Sequence, residues 1–207
     1  MSFSHTLQTG LAQLDCVLDA AQQQQLLDYL ALLDKWNRAY NLTAVRDPLK
    51  MVPLHLLDSL SIRPYLQGQQ VLDVGTGAGL PGIPLAVAEP DRQFVLLDSN
   101  GKKTRFVLQA AQALGLNNVE VVQSRIETYT AVQPFDSIMS RAFATLADFI
   151  QGCAHLLAPG GQLLAMKGKH PADELAALPA GWQCSAEHVL KVPGIEAERR
   201  LLKIIRI

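Results

Sequence analysis

The first 66 residues carry apolar side chains at intervals of three and four, which is the spacing of one face of a helix. The positions on this spacing are Leu7, Leu11, Leu14, Leu26, Leu27, Leu30, Leu33 and Tyr40. Asp47 followed by Pro48 is a typical helix start, because the carboxylate can cap the helix and proline suits its first position. We therefore expect residues 1–66 to form a helical extension packed on the rest of the chain.

Strand and helix patterns alternate from residue 67 onward. The five strand candidates are residues 71–74, 94–97, 119–122, 136–140 and 162–166. Such alternation is typical of a parallel sheet covered on both faces. Residues 184–190 and 200–207 are two more strand candidates joined by a loop too short for a helix, so we expect a hairpin with one antiparallel strand. The prediction for residues 67–207 is an α/β, Rossmann-like core with a seven-stranded, mostly parallel sheet.

A glycine-rich loop directly follows the first strand candidate and precedes a helix. It reads DVGTGAGLPG and comprises residues 73–82. Its glycines let the backbone turn sharply and approach a ligand closely. Gly77, Gly79 and Gly82 also match the G-x-G-x-x-G pattern of dinucleotide sites, a pattern that is weak evidence by itself. The loop therefore predicts a nucleotide-containing cofactor.

Two residues of this loop and one in the helix after it favour S-adenosylmethionine over a dinucleotide. Asp73 stands two residues before Gly75, where its carboxylate could reach the cationic amino group of the methionine moiety. Pro81 and Pro84 remove amide donors that a pyrophosphate would need at the start of the helix. An NAD(P)-dependent oxidoreductase is the alternative that the glycine pattern allows, and a protein that binds the methyl donor without catalysis is another.

Two further strand ends supply candidate cofactor contacts at the same edge of the sheet. Asp98, followed by Ser99, closes the second strand. It stands 23 residues after Gly75, which is about the spacing expected for a carboxylate that binds ribose hydroxyls. A role as a cap or turn residue is the alternative for Asp98. Ile126 and Glu127 follow the third strand, where an apolar side chain could flank an adenine and a carboxylate could bind its edge. Glu127 could equally be a first-turn helix residue.

Composition and charge exclude several classes of protein. Hydrophobic residues make up 49% and charged residues 18% of the 207 residues, as in a compact globular chain. The net charge of −1 means that binding to a polyanion would need a local basic patch. Three widely spaced cysteines indicate neither disulfides nor a thiolate metal site. Because a secretory signal and a bilayer-length apolar stretch are both lacking, we expect a cytoplasmic protein without a membrane partner.

Six segments carry a resemblance that extends over nearly the whole chain. They are KWNRAYNLTAVRD at 35–47, HLLDSL at 55–60, DVGTGAGLPGIPLA at 73–86, LLDSNGKKTRF at 96–106, SRA at 140–142 and MKG at 166–168. In these segments the chain resembles the small-subunit ribosomal RNA methyltransferase G family, also called glucose-inhibited division protein B. The resemblance implies a class I, S-adenosylmethionine-dependent methyltransferase that modifies N7 of one guanine in 16S ribosomal RNA. We expect a monomer that acts on this RNA or on the small ribosomal subunit.

The resemblance also implies cofactor contacts at Gly75, Leu80, Ile126, Glu127 and Arg141. With the residues described above, the predicted cofactor site comprises Asp73, Gly75, Thr76, Gly77, Leu80, Asp98, Ser99, Ile126, Glu127 and Arg141. Arg141 is also the candidate catalytic residue, since it could orient the cofactor or donate to guanine O6; a salt bridge to a neighbouring loop is the alternative. Guanine N7 has a lone pair and no proton, so the reaction needs in-line positioning and no general base.

Basic residues are predicted to surround the cofactor cleft and to contact RNA phosphates. They are Lys102, Lys103, Arg105, Lys167, Lys169, Arg199 and Arg200. The first three crowd the start of a helix, where cations oppose the helix dipole, so a use other than stability is indicated; a solvated surface is the alternative. Trp36 is expected in the core. His55 and Asp58 share a helix face without a third ligand, so we expect no metal site.

Overall fold

A seven-stranded sheet forms the centre of the molecule. The computed structural model describes residues 2–143 and 145–207, so Met1 of the predicted extension lies outside the described residues. The strands are β1 (Gln70–Val74), β2 (Gln93–Asp98), β3 (Val119–Gln123), β4 (Phe135–Ser140), β5 (Leu157–Lys167), β6 (Trp182–Val189) and β7 (Arg200–Arg206). Their order across the sheet is β3-β2-β1-β4-β5-β7-β6.

Strand direction confirms the predicted sheet and its C-terminal hairpin. β1 to β5 are parallel, whereas β7 runs antiparallel to both β5 and β6. β1, β2 and β4 are almost wholly buried, as expected of parallel strands covered on both faces. The strand order reverses between β1 and β4, and this reversal opens a crevice outside the carboxyl ends of the strands. The fold therefore places a ligand site at that edge.

Helices cover the sheet and form the N-terminal extension. They are α1 (Phe3–Gln13), α2 (Ala20–Tyr40), α3 (Pro48–Met51), α4 (Asp58–Leu60), α5 (Gly82–Ala88), α6 (Gly101–Ala113), α7 (Leu146–Cys153) and α8 (Ala172–Ala176). A π-helical turn at Val52–Leu57 joins α3 to α4, and 3₁₀ turns occupy Arg63–Tyr65 and Ile126–Thr128. Within the described residues, no helix combines the length and apolar character needed to cross a membrane.

The helix start predicted at Asp47 and Pro48 is confirmed. The Asp47 carboxylate accepts a hydrogen bond from the Leu49 N–H at 3.0 Å, and Pro48 is the first residue of α3. The helix does not continue as a regular α-helix, however. It widens into the π-helical turn around Pro53, which has no N–H to donate to the preceding turn.

α2 packs on the helices that cover the sheet. The rings of Tyr29 and Trp36 lie 6.3 and 5.6 Å from the ring of Phe106 in α6. Trp36 is partly buried against the main hydrophobic cluster, as expected. Tyr40 is 43% exposed, so its predicted place on the apolar stripe is wrong. It is the last residue of α2, and its ring packs against the ring of Trp36, with centroids 5.2 Å apart, instead of entering the core.

One hydrophobic cluster joins the extension to the sheet. It contains Leu7 and Leu33 from the N-terminal helices together with Ile83 of α5 and Phe94 of β2, all fully buried. Separate domains normally have separate cores and few contacts across their boundary. We therefore propose that residues 2–66 fold with the core as one unit.

Removal of the buried Tyr29 hydroxyl tests this proposal. The hydroxyl links the extension to the core, because it donates to the Ala78 carbonyl of the glycine loop at 2.7 Å. We expect Tyr29→Phe to lower the free energy of unfolding by about 1–3 kcal/mol, since a buried carbonyl loses its donor. Denaturant unfolding would be followed by the emission of Trp36 or Trp182 in single-tryptophan proteins. Both reporters should shift by the same amount, and two separate midpoints would contradict a single folding unit.

Candidate functional site

The glycine loop turns sharply after β1 and is anchored on β2. Gly75 and Gly77 have φ angles of +68° and +62°, a backbone region that side chains other than glycine rarely adopt. The N–H groups of Gly75 and Thr76 both donate to the Leu97 carbonyl, at 2.8 and 3.0 Å. The loop therefore stays close to the end of β2, where the predicted ribose-binding residue stands.

Asp73 lies inside the loop and holds it together. Its side chain is buried, and Oδ2 accepts hydrogen bonds from the Thr76 hydroxyl at 2.7 Å and the Gly82 N–H at 2.9 Å. Oδ1 is also buried and has no hydrogen-bond partner among the described residues. Burial raises the pKa of Asp73 to about 6, although these two hydrogen bonds and the charge of Arg141 act against the rise. A further positive group would stabilise the ionised carboxylate.

Asp98 lies at the end of β2 and organises the loops on either side. Its Oδ2 accepts from the Gly77 N–H at 2.9 Å, and its Oδ1 accepts from the Asn100 N–H at 2.8 Å. Lys103 Nζ lies 3.9 Å from Oδ2. An ionised carboxylate has about four acceptor positions, so two remain for ligand hydroxyls. The capping role and the ligand-binding role expected for Asp98 are therefore compatible.

A cavity of about 200 Å³, the first cavity, opens at the carboxyl ends of β1 to β4. It is lined by Val74, Gly75, Leu97, Asp98, Ser99, Ser124, Arg125, Ile126, Glu127, Ala142 and Phe143. Five predicted cofactor residues meet here: Gly75, Asp98, Ser99, Ile126 and Glu127. Asp73, Thr76, Gly77 and Leu80 do not line it; they build the loop behind it, and the Leu80 side chain is buried in the core.

Sequence reasoning missed several contributors to this cavity. Phe143 supplies an aromatic wall and packs against Phe149 of α7, with ring centroids 5.1 Å apart. Arg125 adds a positive charge at the mouth. The loop is also supported from behind by Tyr29, and burial raises the pKa of this phenol well above its usual range, so that it remains a donor. A lone aromatic residue after a strand or inside a long helix gives no signal of such a role.

Arg141 lies on the turn after β4 and forms an ion pair. Its Nη1 donates to Asp58 Oδ2 of α4 at 3.0 Å, so the partner comes from the N-terminal extension and not from a neighbouring loop. The turn is fixed by Ser140, whose hydroxyl donates to the Val74 carbonyl at 2.7 Å and accepts from the Ala142 N–H at 3.0 Å. Burial and the charge of Arg141 lower the pKa of nearby His55 to about 4, so this histidine is neutral at pH 7.

A second cavity, of about 230 Å³, lies beyond Arg141. It is lined by Asp58, Arg141, Met166, Lys167, Gly168, Leu190, Arg199 and Arg200. Asp58 also accepts from Arg199 Nε, through Oδ1, at 3.1 Å. Its sequence signal was a single carboxylate in the leucine-rich segment 54–60, which indicated a shared face with His55 but not these partners.

The residues of the predicted basic rim differ in exposure and in pairing. Lys102 and Arg105 are exposed at the start of α6, and Lys169 is exposed after β5. Lys167 instead pairs with Glu174 at 2.9 Å, and Arg200 pairs with two acidic residues, Glu187 and Glu198. The sequence predicted that these basic residues follow the ends of strands, but it did not predict the acidic residues that pair with them. Throughout residues 2–143 and 145–207, no cluster of three or more His, Cys, Asp or Glu side chains forms a metal site.

The sequence is similar to that of known proteins over nearly its whole length. The family model described as rRNA small subunit methyltransferase G matches residues 22–203. The chain is 56% identical to ribosomal RNA small subunit methyltransferase G of Marinobacter nauticus, over 97% of this chain and 94% of that one. It is 57% identical to the protein of the same name from Ectopseudomonas mendocina, over 95% and 93%.

Solved structures agree on the fold. A methyltransferase from Geobacter sulfurreducens, crystallised with S-adenosyl-L-homocysteine, aligns with a TM-score of 0.57 at 14% identity, over 86% of this chain and 98% of that one. This similarity confirms the class I methyltransferase fold. The match to the family model, together with 56% and 57% identity to these two relatives over nearly the full length, shows that the chain belongs to the rRNA small subunit methyltransferase G family.

Proposed function

We propose that this chain transfers a methyl group from S-adenosylmethionine to N7 of a guanine in 16S ribosomal RNA. The first cavity carries the proposal, because it gathers the glycine loop, Asp98 and the Ile126–Thr128 turn at the reversal of strand order. Membership of a ribosomal RNA methyltransferase family supports methyl transfer over hydride transfer from NAD(P).

The residues at this edge fit the cofactor. The buried Asp73 Oδ1, which has no partner among the described residues, suits the ammonium group of the methionine moiety. The remaining acceptor positions of Asp98, next to Ser99, suit the ribose hydroxyls. Ile126 and Phe143 offer apolar surface for the adenine, and the Glu127 carboxylate, which lines the same cavity, suits its amino group.

The chemistry places modest demands on the protein. When bound, S-adenosylmethionine supplies a methyl group on a positively charged sulfur, and guanine N7 needs no general base to accept it. The chain's residues therefore act by position: Ser140 fixes the turn that carries Arg141, and Arg141 lines the second cavity, one residue before Ala142 of the first cavity. We assign Arg141 to the orientation of guanine through O6.

Methyl transfer to RNA tests the proposed function directly. Purified protein would be incubated with labelled S-adenosylmethionine and either 16S ribosomal RNA or assembled small subunits from cells that lack the protein. We expect label in one of these substrates, at a guanine that chemical strand scission maps as N7-methylated. Thermal stabilisation by NADH but not by S-adenosylhomocysteine would instead support the oxidoreductase. Stabilisation by S-adenosylhomocysteine without any methyl transfer would support a binding module.

The raised pKa of Asp73 predicts how cofactor affinity depends on pH. An acid whose pKa is raised to about 6 in the folded protein is ionised at pH 7 and largely protonated at pH 5. If the ionised form binds the ammonium group, affinity for S-adenosylhomocysteine should fall by up to about tenfold between pH 7 and pH 5. Calorimetric titration across this range measures the change.

Asp73→Asn is the matched variant for this prediction. The amide keeps a carbonyl oxygen for the Thr76 hydroxyl and the Gly82 N–H, so the loop retains both hydrogen bonds. We expect weaker binding at pH 7 and little change down to pH 5. A wild-type affinity that is constant over this range would mean that Asp73 supports the loop without contacting the ammonium group.

The exposed residues of the predicted basic rim predict a salt-dependent contact with RNA. Lys102→Glu should weaken RNA binding several-fold and reduce the slope of log K against log salt by about 1, the loss of roughly one phosphate contact. Filter binding at several salt concentrations measures both quantities. Arg206→Glu is the control, because Arg206 ends β7 at the opposite edge of the sheet. Equal effects of the two variants would show that net charge alone is responsible.

A further inference from the structure

Three consecutive residues place the second cavity next to the first. Arg141 lines the second cavity, while Ala142 and Phe143 line the first, so a single turn of chain separates the two spaces. The hydroxyl of Ser140 holds this turn to the end of β1. A molecule bound in the second cavity would therefore adjoin the cofactor site.

Asp58 ties this region to the N-terminal extension. Its side chain is only 6% exposed, and each of its two oxygens accepts a hydrogen bond from a different arginine. Arg141 comes from the turn after β4, and Arg199 comes from the segment just before β7. The two guanidinium groups lie far apart in sequence, and one carboxylate from α4 brings them to the same cavity wall.

Both arginines keep donors for a ligand. The side chains of Arg141 and Arg199 are 30% and 25% exposed, so only one end of each is held by Asp58. A guanidinium has five N–H donors, and the bond to Asp58 uses one of them in each case; Arg199 uses a second, because its Nη1 donates to the Glu198 carbonyl at 3.0 Å. The remaining donors suit carbonyl and phosphate oxygens, which guanidinium groups bind readily.

We propose that the second cavity accepts the target guanine nucleotide and that Asp58 is the positioning residue that holds Arg141 and Arg199 against it. This inference rests on the proposed function. Guanine presents O6 beside N7 on one edge, so an arginine donor to O6 would direct N7 towards the adjoining cofactor site. Enzymes that modify a base act on single strands or take the base out of its stack, which requires such a cavity.

The variant Asp58→Asn tests the role of the carboxylate. An asparagine keeps the size of the side chain but has only one acceptor oxygen and no charge, so it cannot hold both arginines. We expect kcat/KM for the RNA substrate to fall by about 10²-fold, the effect of a small misplacement of positioning groups. RNA affinity measured without cofactor should also fall, whereas affinity for S-adenosylhomocysteine should stay within about twofold of wild type.

Glu89→Gln is the matched control. Glu89 also bridges two arginines, accepting from Arg63 Nε at 2.5 Å and from Arg92 Nε at 3.0 Å, but it lies at the opposite edge of the sheet, before β2. This variant should retain wild-type RNA affinity and methyl transfer. If Asp58→Asn behaves like Glu89→Gln, the inference is wrong while the proposed function stands. If the wild-type protein transfers no methyl group to RNA, both are wrong.

A purely structural role for Asp58 would give a different pattern. Asp58→Asn would then lower the unfolding temperature and cofactor affinity in parallel with activity, which would overturn the inference. Under the inference, Asp58→Glu should recover part of the lost kcat/KM, because a carboxylate is restored. In an Arg199→Gln background, Asp58→Asn should cost clearly less than in the wild type, since one of its two partners has already gone. Additive losses would contradict the coupling.

Discussion

A carboxylate buried inside the glycine loop is the constraint on which the site depends. A buried charge is costly unless donors surround it, and the Thr76 hydroxyl and the Gly82 amide meet that need while joining the two ends of the loop. These bonds do not fully offset the desolvation, because the pKa of Asp73 remains raised. One more positive group would therefore stabilise the ionised carboxylate, which is the role proposed for the ammonium group of S-adenosylmethionine.

The rest of the site is built from contacts that fix position. Gly75 and Thr76 are tied to the Leu97 carbonyl, and Asp98 holds the Gly77 amide, so the loops after β1 and β2 support each other. Holding reactants in a reactive geometry can contribute roughly 7–11 kcal/mol to lowering a barrier. For an acceptor atom that has no proton to lose, such positioning is the main contribution that side chains can make.

Sequence patterns predicted the fold because each element carries a local signal. Strand alternation, the Asp47 and Pro48 helix start and the short C-terminal hairpin all depend on residues close together in the chain. The glycine loop and Asp98 were predictable for the same reason. The partners of Arg141 were not, because Asp58 is separated from it by the whole of β1 to β4 and periodicity carries no information about such pairs. The ion pairs of Lys167 with Glu174 and of Arg200 with Glu187 join residues that are nearer in the sequence. They were not predicted because they depend on the path of the loop before α8 and on the register of β6 against β7.

The helical extension contributes two polar contacts to the candidate site. Tyr29 supports the glycine loop from behind through the Ala78 carbonyl, and Asp58 reaches the wall of the second cavity. Each contact is a single polar group on a helix whose apolar face is already buried in the common core. Apolar packing thus fixes the positions of the helices. Because the helices are fixed, the two polar groups hold the glycine loop and the arginines in defined positions. A change in the extension should therefore alter substrate or cofactor geometry even where it leaves the sheet intact.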